Sequence, residues 1–241
     1  MEREMSHEYP ITKEWFKQRG LDLRKDLIPI QLVPTAIQGG PIVDETFKTS
    51  MEGLYAVGNT NAFVWGILGA AVSGHIAAES AARYASEIEE PVFEEKKAEA
   101  IAKQIMAPLK RRGGTSPIDL EGAVRSITTD YVGYFKSERM MQAGLEKLLE
   151  LKKAYLSSLY ARNPHELMRC LEVRNIFDMA EMHIRASLMR KESRMRRVGL
   201  HPHYRVDYPK TDPAWEKLVV VRKEAGEMKL STQEIPKLKE E

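Results

Sequence analysis

Asn163, Pro164 and Glu166 put a capping side chain, a first-turn proline and an acidic third position in sequence, and so mark where a helix begins. The helical reading runs on to about Lys191, roughly 40 Å at 1.5 Å per residue. Ser116, Pro117 and Asp119 repeat the signature upstream. Between the two starts, Met141, Leu145, Leu148, Tyr155, Leu156 and Leu159 recur at roughly helical spacing. These signals predict three antiparallel helices between about 118 and 191, packed as a small bundle. Met140, Met141, Met179, Met182 and Met189 occupy helical positions and are expected in its core.

The remaining chain has a different character. The 241 residues suffice for one large domain or two modest ones, and 43% apolar with 30% charged residues is ordinary for a soluble globular protein. No long apolar run after a basic start indicates a leader or a membrane span. A net charge of +2 does not argue for nucleic acid. Cys170, the single cysteine, excludes internal disulfides and a cysteine-ligated iron–sulfur cluster within this chain, and a cytoplasmic setting is expected. A charged first segment reads as a short helix ending at Gly20. Residues 27–47, broken by Pro29, Pro34 and Gly39-Gly40, read as strand, turn and strand. Gly53–Val57 reads as a further short strand buried on both faces. A helix of small residues follows from about Leu68 to Glu87, and a charged amphipathic helix after Pro91 closes at Gly113-Gly114. Near the C-terminus, Lys217–Lys223 and Glu227–Ile235 read as a hairpin about Ala225-Gly226.

Glu52–Gly74, EGLYAVGNTNAFVWGILGAAVSG, contains no Lys or Arg. Glycines admit close backbone approach, and a helix N-terminus offers unpaired N–H groups to an electron-rich edge. That pattern suits a bound cofactor; tight helix–sheet packing is the competing reading.

Gly53–Asn59, Arg190–Arg194 (Arg190, Glu192, Ser193, Arg194) and Arg205–Pro209 occur in an order that resembles the C-terminal part of the fumarate reductase/succinate dehydrogenase flavoprotein superfamily, which includes L-aspartate oxidase and the adenylylsulfate reductase alpha subunit. The resemblance covers about residues 20–220. It implies an α+β, mainly helical fold: the C-terminal piece of an FAD-binding α/β domain over 1–90, a helical bundle domain over 91–200, and a tail with a short hairpin over 201–241. It also implies FAD contacts by Gly58, Asn59, Gly66, Ile67 and Leu68, with Trp65 either bordering the flavin or packing. The implied partners are a chain carrying the N-terminal FAD-binding half, whose G-x-G-x-x-G loop is absent here, and an iron–sulfur electron-transfer protein. Arg190, Glu192 and Arg194 are expected to form ion pairs that pin the bundle to the FAD domain.

Departures from the family pattern bear on the substrate. Asn59 stands where the family has Glu. No His lies in PTAIQGG, and no Arg or Lys lies between Thr60 and His75 to grip a carboxylate. The expected substrate is therefore not succinate or fumarate, unless the chemistry rests on the missing half. His75, the nearest titratable residue to the implied flavin, is the candidate proton donor, against a packing role. His201 and His203 form an H-x-H pair without a third metal ligand, so no metal site is expected. The expectation is an FAD-dependent oxidoreductase once the chain is completed by its other half. The alternatives are a non-catalytic scaffold derived from a flavoprotein, and a basic RNA-binding protein built on the run around Arg190–Arg197.

Overall fold

The structure, a computed structural model, describes residues 10–22, 25–28, 39–61, 66–90, 92–194 and 203–235. It divides into two compact units, residues 1–33 and 34–241. In the first, α1 (Pro10–Gln18) ends at Gly20, whose φ of +74° is the left-handed stop anticipated there.

The second unit opens with an extended segment rather than the expected strands. Residues 29–38 lie outside the described residues, so the first limb of the strand–turn–strand reading does too. The second limb and Gly53–Val57 are joined only by a single antiparallel bridge, Lys48 to Tyr55, flanked by the bonds Ala56 N–H to Phe47 O and Thr49 N–H to Leu54 O. Leu54 is half exposed. A strand needs a continuous ladder and burial on both faces needs a packed layer on each; among the described residues this segment has one bridge, and Gly53 and Leu54 are exposed. Asp44 turns the chain instead, its Oδ1 accepting from the amides of Thr46 and Lys48 and from the Thr46 hydroxyl.

Next comes α2 (Gly66–Glu87), followed by α3 (Glu95–Met106). The α-helix breaks at Ala107 into a 3-10 turn, Ala107–Lys110, short of the predicted Gly113-Gly114, because Pro108 cannot continue the ladder. The bundle is α4 (Pro117–Val132), α5 (Glu138–Tyr155) and α6 (Pro164–Met189), each packed on the other two. Their caps act as the residues dictate. Ser116 Oγ accepts from Asp119 N–H at 3.3 Å and Asn163 Oδ1 from Glu166 N–H at 2.9 Å. Ser137 caps α5 in the same way, bonding Met140 N–H.

Leu120, Val124, Met141, Leu148, Leu159, Val173, Phe177 and Ile184 form the bundle core. Two expectations fail. Tyr155 is half exposed, and so are Met140 and Met179, while Met141 is fully buried. Neighbouring positions on one helix point about 100° apart, so a run of methionines cannot all face one seam.

Two-residue strands β1 (Phe135–Lys136) and β2 (Tyr204–Arg205) pair in parallel and tie the start of α5 to the chain beyond α6. The hairpin β3 (Lys217–Glu224) and β4 (Glu227–Glu234) pairs in the expected register, Glu224 opposite Glu227. Positive φ at both Ala225 and Gly226 gives the two-residue turn whose twist matches the strands. The described residues are mainly helical with a few short strands, as expected of the α+β class. None of their helices is long and apolar enough to cross a membrane.

Candidate functional site

The N-terminus of α2 is assembled by short-range bonds around glycines. Val57 leads into a 3-10 turn, Gly58–Thr60. Gly58 has φ +59° and donates its N–H to Ser73 Oγ at 2.9 Å, and a Cβ there would crowd Ala70 Cβ at 3.1 Å. The Ser73 side chain is buried and passes its own proton to Gly69 O at 2.7 Å. Asn59 Oδ1 accepts from Gly66 N–H at 3.0 Å, clasping the loop to the first residue of the helix. Gly40 closes the other side: any side chain there would run into the Thr60 carbonyl.

What the clasp presents is bare. Gly66 has φ +72° and nothing within 4 Å of the position a Cβ would take. Ile67 and Leu68 are 89% and 83% exposed. Val72 is also exposed and Ile76 partly so, which makes one continuous apolar stripe along α2, while Ser73 and Ala77 face inward. The first-turn N–H groups of α2 after Gly66 have no intrahelical acceptor. Gly58, Asn59, Gly66, Ile67 and Leu68 thus lie around one helix start; Trp65 lies outside the described residues. His75 is exposed about two turns further along, 3.4 Å from Glu79.

At the other end of the unit, the second and third motifs interlock. Glu192, fully buried, accepts from Arg190 Nη1 at 2.7 Å, Arg194 Nε at 2.8 Å and the Asp212 amide at 3.0 Å. The ion pairs expected of Arg190, Glu192 and Arg194 are therefore present, but within the described residues they bind the α6 terminus to the tail. Arg190 donates further to the carbonyls of Trp215 and Lys217. Arg205, also fully buried, donates from Nη1 to the carbonyls of Ser187, Leu188 and Arg190, capping α6, and forks onto Asp207 at 2.8 and 2.7 Å. The Arg205 bonds hold the Asp207 carboxyl down to about 2. Ser193 Oγ accepts from Arg205 N–H at 2.8 Å.

These segments find counterparts among known proteins. Residues 122–239 match the family described as fumarate reductase flavoprotein C-terminal. An uncharacterized FAD-dependent oxidoreductase of Methanocaldococcus jannaschii is 27% identical over 86% of this chain and 38% of its own length. L-aspartate oxidase of Yersinia pestis is 28% identical over 85% of this chain and 37% of its own. The chain resembles the C-terminal part of the fumarate reductase/succinate dehydrogenase flavoprotein superfamily, and residues 122–239 carry the family match. A quinol fumarate reductase of E. coli shares the fold of this flavoprotein part, with a TM-score of 0.80 over the whole chain and 44% of its own, at 21% identity. The chain thus spans less than half the length of the relatives it matches.

Several members of these two clusters carry no local sequence signal. Ser73 reads as one more small residue of α2, yet it supplies the acceptor for Gly58. Gly40 reads as half of a turn and is instead a contact glycine. Arg205 belongs to a motif, but its capping of α6 depends on residues 15 to 18 positions earlier.

Proposed function

We propose that this chain closes the flavin site of an FAD-dependent oxidoreductase of the fumarate reductase/succinate dehydrogenase type, its dinucleotide-binding half lying on another segment or chain. The observation that carries the reading is the Asn59–Gly66 clasp, which holds the start of a 22-residue helix rigid and uncovered. The residues fit the group. Gly58 and Gly66 take backbone angles that side chains resist, and Gly66 leaves open space where a planar ring needs it. Gly58 and Asn59 would hold the ribityl–pyrophosphate side; Gly66, Ile67 and Leu68 would meet the ring edge. Bound FAD would supply hydride exchange with a substrate and single-electron transfer to an iron–sulfur partner.

The chain's own contribution is orientation and exclusion. First-turn amides of α2 favour negative charge at the ring edge, and the apolar side chains of Ile67, Leu68 and Val72 keep water out once covered. The lack of any Lys or Arg from Glu52 to Gly74 leaves no bidentate grip for a carboxylate, so the substrate is a molecule other than succinate or fumarate. His75, paired with Glu79, is the nearest proton carrier on the helix. The FAD-dependent relative supports the cofactor, and the assembly acts in the cytoplasm.

Co-expression with a polypeptide bearing the strand and glycine-rich half tests this. A yellow complex from which FAD is extracted is expected, and Asn59→Ala weakens flavin retention about ten-fold, the loss of one hydrogen bond of ~1.4 kcal/mol. A colourless complex without extractable flavin overturns the reading and leaves the bundle as a scaffold for partners.

A further inference from the structure

We propose that Ser73 is the positioning residue of the flavin-facing turn: its buried hydroxyl locks Gly58–Thr60 onto α2 and so fixes the surface that the cofactor meets. The lock stands on the geometry alone; its consequence for flavin rests on the function proposed above. Ser73 lies in the third turn of α2 and is fully buried. Its hydroxyl has one proton, and that proton is used inside the helix, on Gly69 O at 2.7 Å with Ala70 O at 3.2 Å. The oxygen is left as an acceptor. Gly58 N–H, fifteen residues earlier in the chain, donates to it at 2.9 Å. Gly58 is itself buried, so without this oxygen its N–H would have no water to turn to.

The Gly58 carbonyl is committed as well, accepting from Asn61 N–H at 3.3 Å. This glycine therefore serves by shape and close approach to Ala70, and something else must hold it in place. Asn59 Oδ1 already ties the same turn to Gly66 N–H at the first residue of α2. Gly66 and Ser73 stand seven residues apart on that helix, about 10 Å along its axis. A turn held at one point swings about it, whereas a turn held at two such points keeps its orientation. Ser73 is the second point. It fixes Asn59 relative to the first-turn amides of α2, the two groups that a flavin would have to meet together. Ser86, on the same helix, shows the contrast: its hydroxyl bonds only Arg83 O within the helix and tethers nothing.

Amide hydrogen exchange of the full chain tests the lock. Gly58 N–H should exchange about ten-fold faster in Ser73→Ala than in the wild type, the loss of one buried hydrogen bond. Ser73→Thr, which keeps the hydroxyl, and Ser86→Ala should leave the rate within about two-fold. In the complex with the dinucleotide-binding half, Ser73→Ala should hold FAD about ten-fold more weakly and lose the visible circular-dichroism band of the bound flavin. Ser73→Thr should restore both, and the bundle should melt at the wild-type temperature in each variant.

Unchanged Gly58 exchange in Ser73→Ala overturns the proposal and leaves the flavin reading standing. So does a yellow Ser73→Ala complex with wild-type FAD affinity and an unaltered dichroism band. A colourless wild-type complex instead overturns the flavin reading, and the role of Ser73 in it falls at the same time. Should Ser73→Ala not fold, the wild-type chain decides. Its Gly58 N–H must exchange at least about ten-fold more slowly than Asn59 N–H, which has no acceptor among the described residues, and equal rates sink the idea.

Discussion

Arg205 does at one position what a cap, a counter-ion and a strand residue usually share. Replacing it with Met strips Asp207 of its cation and three α6 carbonyls of their donor. The expected loss is about 3–5 kcal/mol, measured by urea unfolding, because breaking a buried pair leaves the remaining charge uncompensated. His183 and His203 make stability depend on pH. Burial lowers both from 6.5 to about 4 in the folded chain. Between those values the unfolded chain binds the protons and the folded chain does not, so stability falls as pH drops from about 6.5 to 4, by up to ~3 kcal/mol for each. Asp207, held at about 2 against 3.8, acts with the same sign below that window. Glutamine at 183 or 203 should flatten the Tm profile between pH 6.5 and 4, and an unchanged slope would count against the burial of that ring. None of this is written locally: a histidine in a sequence window does not reveal whether a lysine from another element stands beside it.

The elements were the most legible level, and their glycines separate what is local from what is not. Gly122 and Gly144 both interrupt helices of the bundle. At Gly122 an added Cβ meets nothing within 4 Å, so Gly122→Ala should stabilise the chain by about 1 kcal/mol through helix propensity alone. At Gly144 the added Cβ would sit 2.6 Å from Tyr131 Cβ, an atom fixed to the α4 backbone. Gly144→Ala should force α4 and α5 apart at a cost of about 2 kcal/mol. Opposite signs in paired denaturant melts check the packing, and like signs refute it. Helix starts were readable because a cap, its proline and its acid lie within one turn, and the β3–β4 hairpin because Ala225-Gly226 sits between two runs of strand-forming residues. Gly53–Val57 was misread as a strand for the converse reason: a strand exists only where partners pair with it.

Across the whole molecule, buried and exposed apolar stripes serve different ends. Leu148 lies in the bundle core, whereas Leu68 and Val72 face outward on α2. Val72→Asp should leave the melting of the isolated chain within about 0.5 kcal/mol and abolish assembly with the dinucleotide-binding half, as gel filtration of the mixture would report. Loss of fold in the isolated chain would instead place Val72 in its core. The sequence by itself determined the starts of α4 and α6, the hairpin turn and the resemblance to the superfamily, since caps, turns and motifs are encoded within a few residues. The tertiary structure decided which methionines reach the core, that the Glu192 ion pairs bind the end of α6 to the tail, that Ser73 rather than a loop residue receives Gly58, and that Lys136 stands in register with Arg205. Burial and charge depend on neighbours brought from distant positions, and periodicity within one helix carries no record of them.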